Sequence, residues 1–223
     1  MTKALPALEE LFPCWDKLSP LQQKNVQRTA EASLMKKGER MYRGLEKCSG
    51  LFLVRSGQCR AFIISDTGKE ITLYRLFPWD LRLFSASCLL KDIEFDIHIE
   101  AEKDSDIYIV PSDIYEQLMN SSIDIMAYTN KVMASRFSDV MWVMEQVLFS
   151  SFDSRLATFL LDQSRIDGNS ILSITHEEIA RHLGTAREVV SRMLTYFASE
   201  GSIALSRGKV HILNPQKLTI LAS

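Results

Sequence analysis

Polar side chains suited to reading DNA bases recur on one side of a predicted helix in the last quarter of the chain. They stand at relative positions i, i+1, i+4, i+5 and i+8, and they are Arg187, Glu188, Ser191, Arg192 and Thr195. Positions with this spacing share one face of a helix. Arginine can bond guanine O6 and N7, glutamate can accept from cytosine N4, and serine can bond either kind of base edge. We therefore predict that Arg187, Glu188, Ser191 and Arg192 read bases.

The helix that carries these side chains is predicted over about residues 185–200, and its other side is apolar. A shorter helix precedes it, with an apolar stripe of Ile179, Ala180 and Leu183 that ends at Gly184. Apolar residues at three- and four-residue spacing are typical of helices packed on one side. Two short helices joined by a glycine turn predict a helix-turn-helix.

Both predicted helices begin with the sequence Thr-x-x-Glu. The pairs are Thr175 with Glu178 and Thr185 with Glu188. In such a capping box the hydroxyl and the carboxylate satisfy backbone N–H groups of the first helical turn. Two capping boxes are therefore predicted, and the Glu188 carboxylate is left with two alternative roles, helix cap or base contact.

A hairpin is predicted directly after the second helix. Residues 202–205 and 210–213 form its strands, around a turn that contains Gly208. A hairpin in this place is a wing, and its basic turn can meet a DNA phosphate. Contacts to the DNA backbone are predicted for Thr175, His176, Thr185, Thr195, Arg207 and Lys209. The alternative that the pattern leaves open is a winged module that contacts protein.

The same region carries a resemblance to a known family. Residues 174–180 read I-T-H-E-E-I-A, residues 183–184 read L-G, and residues 187–192 read R-E-V-V-S-R. In order and spacing these motifs resemble the winged-helix signature of the Crp/Fnr superfamily of bacterial transcription regulators. The resemblance implies an α+β protein with an N-terminal antiparallel β-roll (jelly-roll-like), a long dimerisation helix and a C-terminal winged helix-turn-helix. It also implies sequence-specific binding of double-stranded DNA by a homodimer that a small-molecule effector controls.

The N-terminal half has the pattern of a rolled sheet. Residues 1–30 are predicted to be helical, and residues 33–110 to be short strands separated by turn signals such as Ser56-Gly57 and Asp104-Ser105. Many short strands at near-regular spacing favour a closed or rolled antiparallel sheet. This order resembles the cyclic-nucleotide-binding β-roll of the same superfamily. The predicted domains are an effector-binding roll over 1–120, a dimerisation helix and hinge over 121–150, and a winged helix over 151–223.

The resemblance fails at the ligand-binding motifs. Members that bind a cyclic nucleotide use a Gly-Glu pair for ribose and an Arg-Ser pair for phosphate, whereas the matching stretches here contain Trp79-Asp80 and Phe95-Asp96. A carboxylate at the phosphate position repels an anion, so we predict an unidentified effector other than cyclic AMP. The candidate pocket residues are Arg75, Arg82, Ser87, Cys88, Asp96 and His98. Two roles stay open for Cys88, a sensing or ligating thiol and a small buried apolar residue.

A heptad seam lies between the roll and the winged helix. Residues 121–148 are predicted as one long helix. Eight positions at alternating three- and four-residue spacing form the seam, and they are Ile123, Met126, Asn130, Met133, Phe137, Val140, Met144 and Val147. Such a seam predicts a parallel two-stranded coiled coil whose register is fixed by Asn130. The alternative is a helix that packs on its own sensor domain, for which Trp142 and Leu148 are also available.

Composition excludes several other classes of protein. Apolar residues make up 46% and charged residues 24% of the 223 residues, which is typical of a soluble globular protein. No apolar run reaches the roughly 18 residues of a membrane span, and the N-terminus lacks the apolar core of a signal peptide. A cytoplasmic location without membrane contact is therefore expected. The net charge is −2, so DNA affinity must come from specific contacts and from two copies on one site.

No catalytic or metal site is predicted. The chain has no Gly-rich phosphate loop, no zinc-ligand spacing and no nucleophile or paired-carboxylate constellation, so an enzyme is not expected. Its four cysteines, at positions 14, 48, 59 and 88, lack the close spacing that an iron–sulfur cluster requires. We therefore predict no cofactor and no metal. As a transcription regulator, the protein is also predicted to have RNA polymerase as a partner beside DNA.

Overall fold

The computed structural model describes three stretches of the chain, residues 5–41, 50–78 and 97–222. Four candidate pocket residues lie outside these stretches, and they are Arg82, Ser87, Cys88 and Asp96. Residues 79–80 and 95–96, on which the prediction about cyclic AMP depends, lie outside them as well. Within the three stretches, no helix combines the length and the apolar character needed to cross a membrane.

The chain divides into two compact units. The first comprises residues 1–63 and 73–140, and the second comprises residues 64–72 and 141–223. Each unit has its own cluster of buried apolar side chains. The helix of the predicted seam begins in the first unit and ends in the second.

An antiparallel sheet flanked by helices makes up the first unit. Its elements are helices α1 (Leu8–Leu11) and α2 (Pro20–Thr29), strands β1 (Glu31–Met35), β2 (Arg40–Met41), β3 (Leu51–Ile64), β4 (Glu70–Leu76) and β5 (His98–Val110), helix α3 (Ser112–Ser121), and helix α4 (Ile123–Phe149) up to residue 140. Residue 64 of β3 and residues 70–72 of β4 belong to the second unit. The strand order is β1-β5-β3-β4, and β2 also pairs with β5. Strand β5 is antiparallel to β1, β2 and β3. The sheet therefore centres on two long strands, β3 and β5.

Strands β3 and β5 are longer than the sequence predicts. The turns predicted at Ser56-Gly57 and Asp104-Ser105 are wrong, because both pairs lie inside the β3–β5 ladder where the pairing register shifts. Gly57 has a φ of +88°, and a Cβ atom there would lie 2.4 Å from Asp104 O. Gln58 N donates to Ser105 Oγ over 3.0 Å. These residues form a β-bulge, for which glycine and small polar residues are as suitable as for a turn.

One face of α4 packs on the core of the first unit. Ile125, Thr129, Val132 and Arg136 are its buried residues, at spacings of four, three and four. The hydroxyl groups of Tyr115 and Thr129 are 2.8 Å apart, which satisfies two buried polar groups at once. None of these four positions belongs to the predicted seam, so the seam lies on another side of the helix.

The second unit is a winged helix-turn-helix. Its elements are α5 (Phe152–Asp167), β6 (Ile171–Leu172), α6 (His176–Leu183), α7 (Arg187–Ser199), β7 (Ile203–Ser206), β8 (Lys209–Ile212) and α8 (Pro215–Ala222). The three strands form an antiparallel sheet in the order β6-β8-β7. The segment 64–72 joins this unit through an antiparallel bridge between Ile71 and Leu183. Together with the antiparallel sheet of the first unit, these elements confirm the predicted α+β class.

Candidate nucleic-acid interface

The first predicted capping box is confirmed at the start of α6. Glu178 N donates to Thr175 Oγ1 over 3.1 Å, and Thr175 N donates to Glu178 Oε2 over 2.7 Å. The helix ends at Gly184, whose φ of +66° is the left-handed conformation that glycine adopts without strain. His176 is therefore fixed at the first position of α6, beside the N-terminal end of its dipole.

The second predicted capping box is wrong. Helix α7 has Ala186 as its N-cap, with no side-chain cap hydrogen bond. Thr185 N instead donates to Ala180 O over 3.1 Å, which closes the end of α6. Thr185 thus belongs to the glycine turn and precedes the N-cap position of α7 by one residue. Glu188 is exposed and does not cap α7, and its contact with a base stays a prediction.

Helix α7 separates a polar side from an apolar side, as its spacing predicts. Val190, Leu194 and Phe197 are fully buried in the core of the unit. The polar side comprises Arg187, Glu188, Arg192 and Thr195, which are exposed, and Ser191, which is half-buried. The Thr195 hydroxyl donates to Ser191 O over 2.9 Å. All four predicted base-reading side chains therefore lie on the side of α7 that faces away from the core.

The wing places two cations at its tip. Strands β7 and β8 pair from Ile203 with Ile212 to Ser206 with Lys209. The turn between the two strands needs a residue with a positive φ, and Gly208 provides it with a φ of +69°. Arg207 and Lys209 are exposed on either side of it.

A cleft of about 480 Å³ lies between the start of α6, the start of α7 and the wing. Its lining residues are Ile174, Thr175, His176, Glu177, Arg187, Ser206, Arg207, Gly208 and Lys209. Three cations, Arg187, Arg207 and Lys209, face one carboxylate, Glu177, so the cleft attracts an anion. The backbone N–H groups at the start of α6 add to this attraction. A DNA phosphate has the charge and the acceptor atoms that suit such a cleft.

His176 contacts Ser191, one of the predicted base-reading residues, and the sequence does not predict this contact. Its Nδ1 atom is 2.8 Å from Ser191 Oγ. Burial lowers the pKa of His176, and the positive charge of Arg187 lowers this pKa further, so the ring is neutral at pH 7. The two residues are 15 positions apart, and only the packing of α6 against α7 brings them together. No local signal could have found this pair.

Two candidate pocket residues of the first unit have partners within it. Arg75 Nε donates to both carboxylate oxygens of Glu102, over 3.1 and 2.9 Å. The ring of His98 lies 5.4 Å from the ring of the fully buried Phe62. The structure thus places Arg75 in an ion pair with Glu102 and His98 against the ring of Phe62. Their part in a pocket stays a prediction.

Arg136 on α4 is a candidate functional residue that the sequence reasoning missed. It is 4% exposed, its Nη1 lies 2.8 Å from Asp139 Oδ2, and its guanidinium stands 4.2 Å from the ring centre of Tyr74. Its Nε and Nη2 atoms are buried without a hydrogen-bond partner in the part of the chain that the structure describes. Burial also raises the pKa of Tyr74 to about 12, so that hydroxyl is neutral. Its burial follows from the packing of α4 on the core of the first unit, so no local signal in the sequence marks it.

The eight seam positions of α4 lie outside the core of the first unit. Ile123, Met126, Phe137, Met144 and Val147 are 81%, 45%, 68%, 45% and 46% exposed. Asn130 is exposed too, and Met133 and Val140 are half-buried. Trp142 and Leu148, which the alternative would use to pack on the sensor domain, are 49% and 62% exposed. The predicted seam is therefore an exposed, mainly apolar stripe along α4, and its role in dimerisation stays a prediction.

Within residues 5–41, 50–78 and 97–222, no group of three or more His, Cys, Asp or Glu side chains is arranged to hold a metal ion. Cys14 is half-buried and Cys59 is buried, and both are free thiols. Burial raises the pKa of each thiol, which keeps them protonated and unreactive at neutral pH.

Comparison with known proteins identifies the family. Residues 154–221 match the Crp-like helix-turn-helix domain. The chain is 31% identical over 196 residues to the transcriptional activator protein Anr of Pseudomonas protegens, covering 84% of this chain and 79% of that protein. It is 30% identical over 162 residues to the cyclic AMP receptor protein of Thermus thermophilus, covering 73% of this chain and 74% of that protein.

A solved structure extends this similarity over most of the chain. The crystal structure of a Crp/Fnr-family transcriptional regulator from Eubacterium rectale is 48% identical, with a TM-score of 0.89 over 95% of this chain and 98% of that chain. The motifs, the winged helix-turn-helix and these relatives agree. The chain therefore belongs to the Crp/Fnr family and is a DNA-binding transcription regulator.

Proposed function

We propose that two copies of this regulator bind one inverted-repeat DNA site, each with α7 in the major groove and its wing beside the backbone. The observation that carries the proposal is the position of the exposed polar side of α7 next to the cationic cleft of α6 and the wing. In helix-turn-helix dimers the start of the recognition helix reaches base edges, and the two half-sites lie about one helical turn apart.

Arg187, Glu188, Ser191 and Arg192 are the proposed base contacts. They occupy the first two turns of α7, and the apolar side of that helix is held in the core. An arginine fork that bonds guanine, or a carboxylate that accepts from cytosine, contributes about 1–3 kcal/mol of discrimination against the wrong base. Specificity in this chain therefore rests on a small number of strong contacts.

Contacts to DNA phosphates are proposed for Thr175, His176, Thr185, Thr195, Arg207 and Lys209. The region from 151 to 223 holds 8 Lys and Arg against 7 Asp and Glu, so its overall field attracts DNA weakly. The cleft concentrates three of those cations in one place. Because the sequence-independent affinity scales with the number of phosphates neutralised, we expect weak binding to random DNA and a shallow salt dependence.

The seam of α4 is the proposed dimer interface. Packing it against the same seam of a second copy covers the exposed Ile123, Met126 and Phe137 and places two Asn130 side chains opposite each other. A buried asparagine at such a position favours two strands in register. The helix of 27 residues is about 40 Å long at 1.5 Å per residue, so it can join the two effector domains along its length.

The effector domain is proposed to bind an anion at Arg136. A guanidinium is always charged and has five N–H donors, and this one is buried with two donor atoms unpartnered among the described residues. A ligand carboxylate or phosphate would satisfy them. The three predicted domains, 1–120, 121–150 and 151–223, and an effector other than cyclic AMP belong to this proposal. RNA polymerase as a partner and the cellular compartment stay predictions.

Two variants, Arg192→Ala and Lys209→Ala, test the proposed DNA interface. DNA sites are selected from a random pool, and affinities for selected and random DNA are measured by fluorescence anisotropy at about 50 and 200 mM salt. Arg192→Ala should lose about 1–3 kcal/mol on the selected site and relax one G·C pair, whereas Lys209→Ala should weaken all sequences alike. Arg165→Ala, which removes a solvent-exposed charge on α5, is the control and should change neither affinity.

Equal weakening of selected and random DNA by Arg192→Ala would make Arg192 a phosphate contact and contradict its base-reading role. The alternative in which the winged helix contacts protein is not favoured, because the similar proteins include transcriptional activators.

A further inference from the structure

His176 and Ser191 meet across the helix-turn-helix. Nδ1 of His176, at the first position of α6, is 2.8 Å from Oγ of Ser191 in the second turn of α7. Both residues are half-buried. Each side chain has the other as its one hydrogen-bond partner within the described parts of the chain. The Ser191 hydroxyl is thus oriented by His176 before any DNA arrives.

The proton between these two atoms decides what Ser191 offers to a base. A serine hydroxyl has one proton and two lone pairs. When Nδ1 carries no proton, it accepts the Ser191 O–H, and only the lone pairs of Oγ are left for DNA. When Nδ1 is protonated, it donates to Oγ, and the Ser191 O–H is free. The first state suits the amino group of adenine or cytosine, and the second suits a carbonyl oxygen of guanine or thymine.

The cleft around His176 selects the first state at neutral pH. The charged groups that line it are Glu177 from α6 itself, Arg187 from α7, and Arg207 and Lys209 from the wing. Burial and the Arg187 charge both lower the pKa of His176, so the ring is neutral. A DNA phosphate drawn in by the three cations is an acceptor for an imidazole N–H. It holds the single ring proton on Nε2 and leaves Nδ1 free to accept from Ser191.

We propose that His176 is a specificity-determining residue, which fixes the Ser191 hydroxyl as an acceptor and so selects adenine or cytosine at one position of the DNA site. Protonation of His176 reverses the hydroxyl and shifts the preference towards thymine or guanine at the same position. The inference rests on the proposed contact between Ser191 and a base.

The experiment uses the full-length protein and begins by locating the base pair that Ser191 reads. Sites are selected from random DNA at about pH 8, where His176 is neutral, with the wild type and with Ser191→Ala. The position whose preference is lost in Ser191→Ala is the Ser191 position. Affinities for the four base pairs at this position are then measured at about pH 8 and about pH 5.5.

The wild type should prefer adenine or cytosine by about tenfold at the higher pH and shift towards thymine or guanine at the lower pH. His176→Phe keeps a ring without nitrogen atoms, so its preference at this position should be nearly lost and should not depend on pH. The position read by Arg192 is the internal control, because a guanidinium stays charged at both pH values. Its preference should be the same in every measurement.

The possible failures are distinguishable. If Ser191→Ala keeps every preference of the wild type, the Ser191 contact is wrong, and the inference falls with it, while specific DNA binding stands. If one position relaxes in Ser191→Ala but His176→Phe retains the wild-type preference there, the role of His176 is overturned. Should His176→Phe fail to fold, His176→Leu is measured in its place, and a wild-type preference retained by that variant at the Ser191 position also overturns the role of His176.

Discussion

Helices α4 and α7 each leave one side uncovered in a single copy of the chain, and the chemistry of the two sides differs. The uncovered side of α7 carries Arg187, Glu188 and Arg192, whose charged groups are hydrated in the absence of DNA. The uncovered side of α4 is apolar, with Ile123 81% exposed and Phe137 68% exposed. An exposed polar side is stable in water without a partner, whereas an exposed apolar stripe favours permanent association. We infer that the DNA surface is complete in one copy and that the α4 surface is completed by a second.

The same residue type shows this difference most directly. Phe137 on α4 is 68% exposed, and Phe197 on α7 is fully buried. Burying a phenylalanine side chain contributes roughly 1.5–3 kcal/mol. For Phe197 this contribution belongs to the stability of the second unit, and for Phe137 it would become available if two copies pack through the proposed seam.

The largest effect on assembly and DNA binding is expected from Phe137→Asp, which breaks the proposed seam. Two carboxylates would face each other in the dimer, where a buried unpaired charge is strongly destabilising, while the exposed position leaves the fold of one copy unaffected. Light scattering should show monomers at micromolar concentration. Affinity for the inverted repeat should fall by at least about a hundredfold, because the two heads no longer bind together.

Ser138→Asp is the matched control for this change. It adds the same charge at the next position, which is exposed and outside the seam, and it should stay dimeric with unchanged affinity. A Phe137→Asp protein that is still dimeric would show that the interface lies elsewhere and that the apolar side of α4 has another partner.

The largest effect on stability is expected from Phe197→Ala. Removing a fully buried aromatic side chain should lower the free energy of unfolding of the second unit by about 3–5 kcal/mol. Amide hydrogen exchange on the full-length protein would measure this loss in α5, α6 and α7. Tyr196→Ala, one residue earlier and 50% exposed, should lose less than about 1 kcal/mol. Equal losses in the two variants would contradict the assignment of the apolar side of α7 to the core.

Local features of the sequence predict the second unit well. Thr175 and Glu178 are three residues apart, so the capping box at α6 depends on nothing beyond one helical turn. Thr185 and Glu188 have the same spacing, but the left-handed Gly184 directs Thr185 N to Ala180 O, and the second box does not form. A motif is thus reliable only where no neighbouring turn competes for the same backbone groups.

Features that depend on contacts between distant residues could not be predicted from the sequence. Gly57 and Ser105 have the composition of turns, and only the pairing of β3 with β5 turns them into a bulge. The contact of His176 with Ser191 arises from the packing of two helices. The spacing of α4 predicts one stripe for a partner, and it does not reveal that the other stripe ends in a buried charge at Arg136.

The smallest effect on stability is expected from Arg136→Met. The change removes a buried cation that has two unpartnered donor atoms in the described chain, and Asp139, whose side chain is 33% exposed, stays hydrated. Replacing such a charge by an apolar side chain of similar length is often neutral or stabilising, and this is offset by the lost cation–π contact with Tyr74. The free energy of unfolding, measured with urea, should therefore change by less than about 1 kcal/mol.

Ligand response separates Arg136 from an arginine with a structural role. The melting temperature is measured with millimolar monocarboxylates, dicarboxylates and nucleoside monophosphates. At least one of these ligands should raise the melting temperature of the wild type, and none should raise that of Arg136→Met. Cyclic AMP and cyclic GMP should stabilise neither. Arg55→Met is the matched control, because it leaves Asp106, whose side chain is 14% exposed, without its ion pair to Arg55, and its free energy of unfolding should fall by about 1–3 kcal/mol in the absence of ligand. A loss of that size in Arg136→Met would make Arg136 a structural ion-pair partner of Asp139 and would remove the basis for an anionic effector.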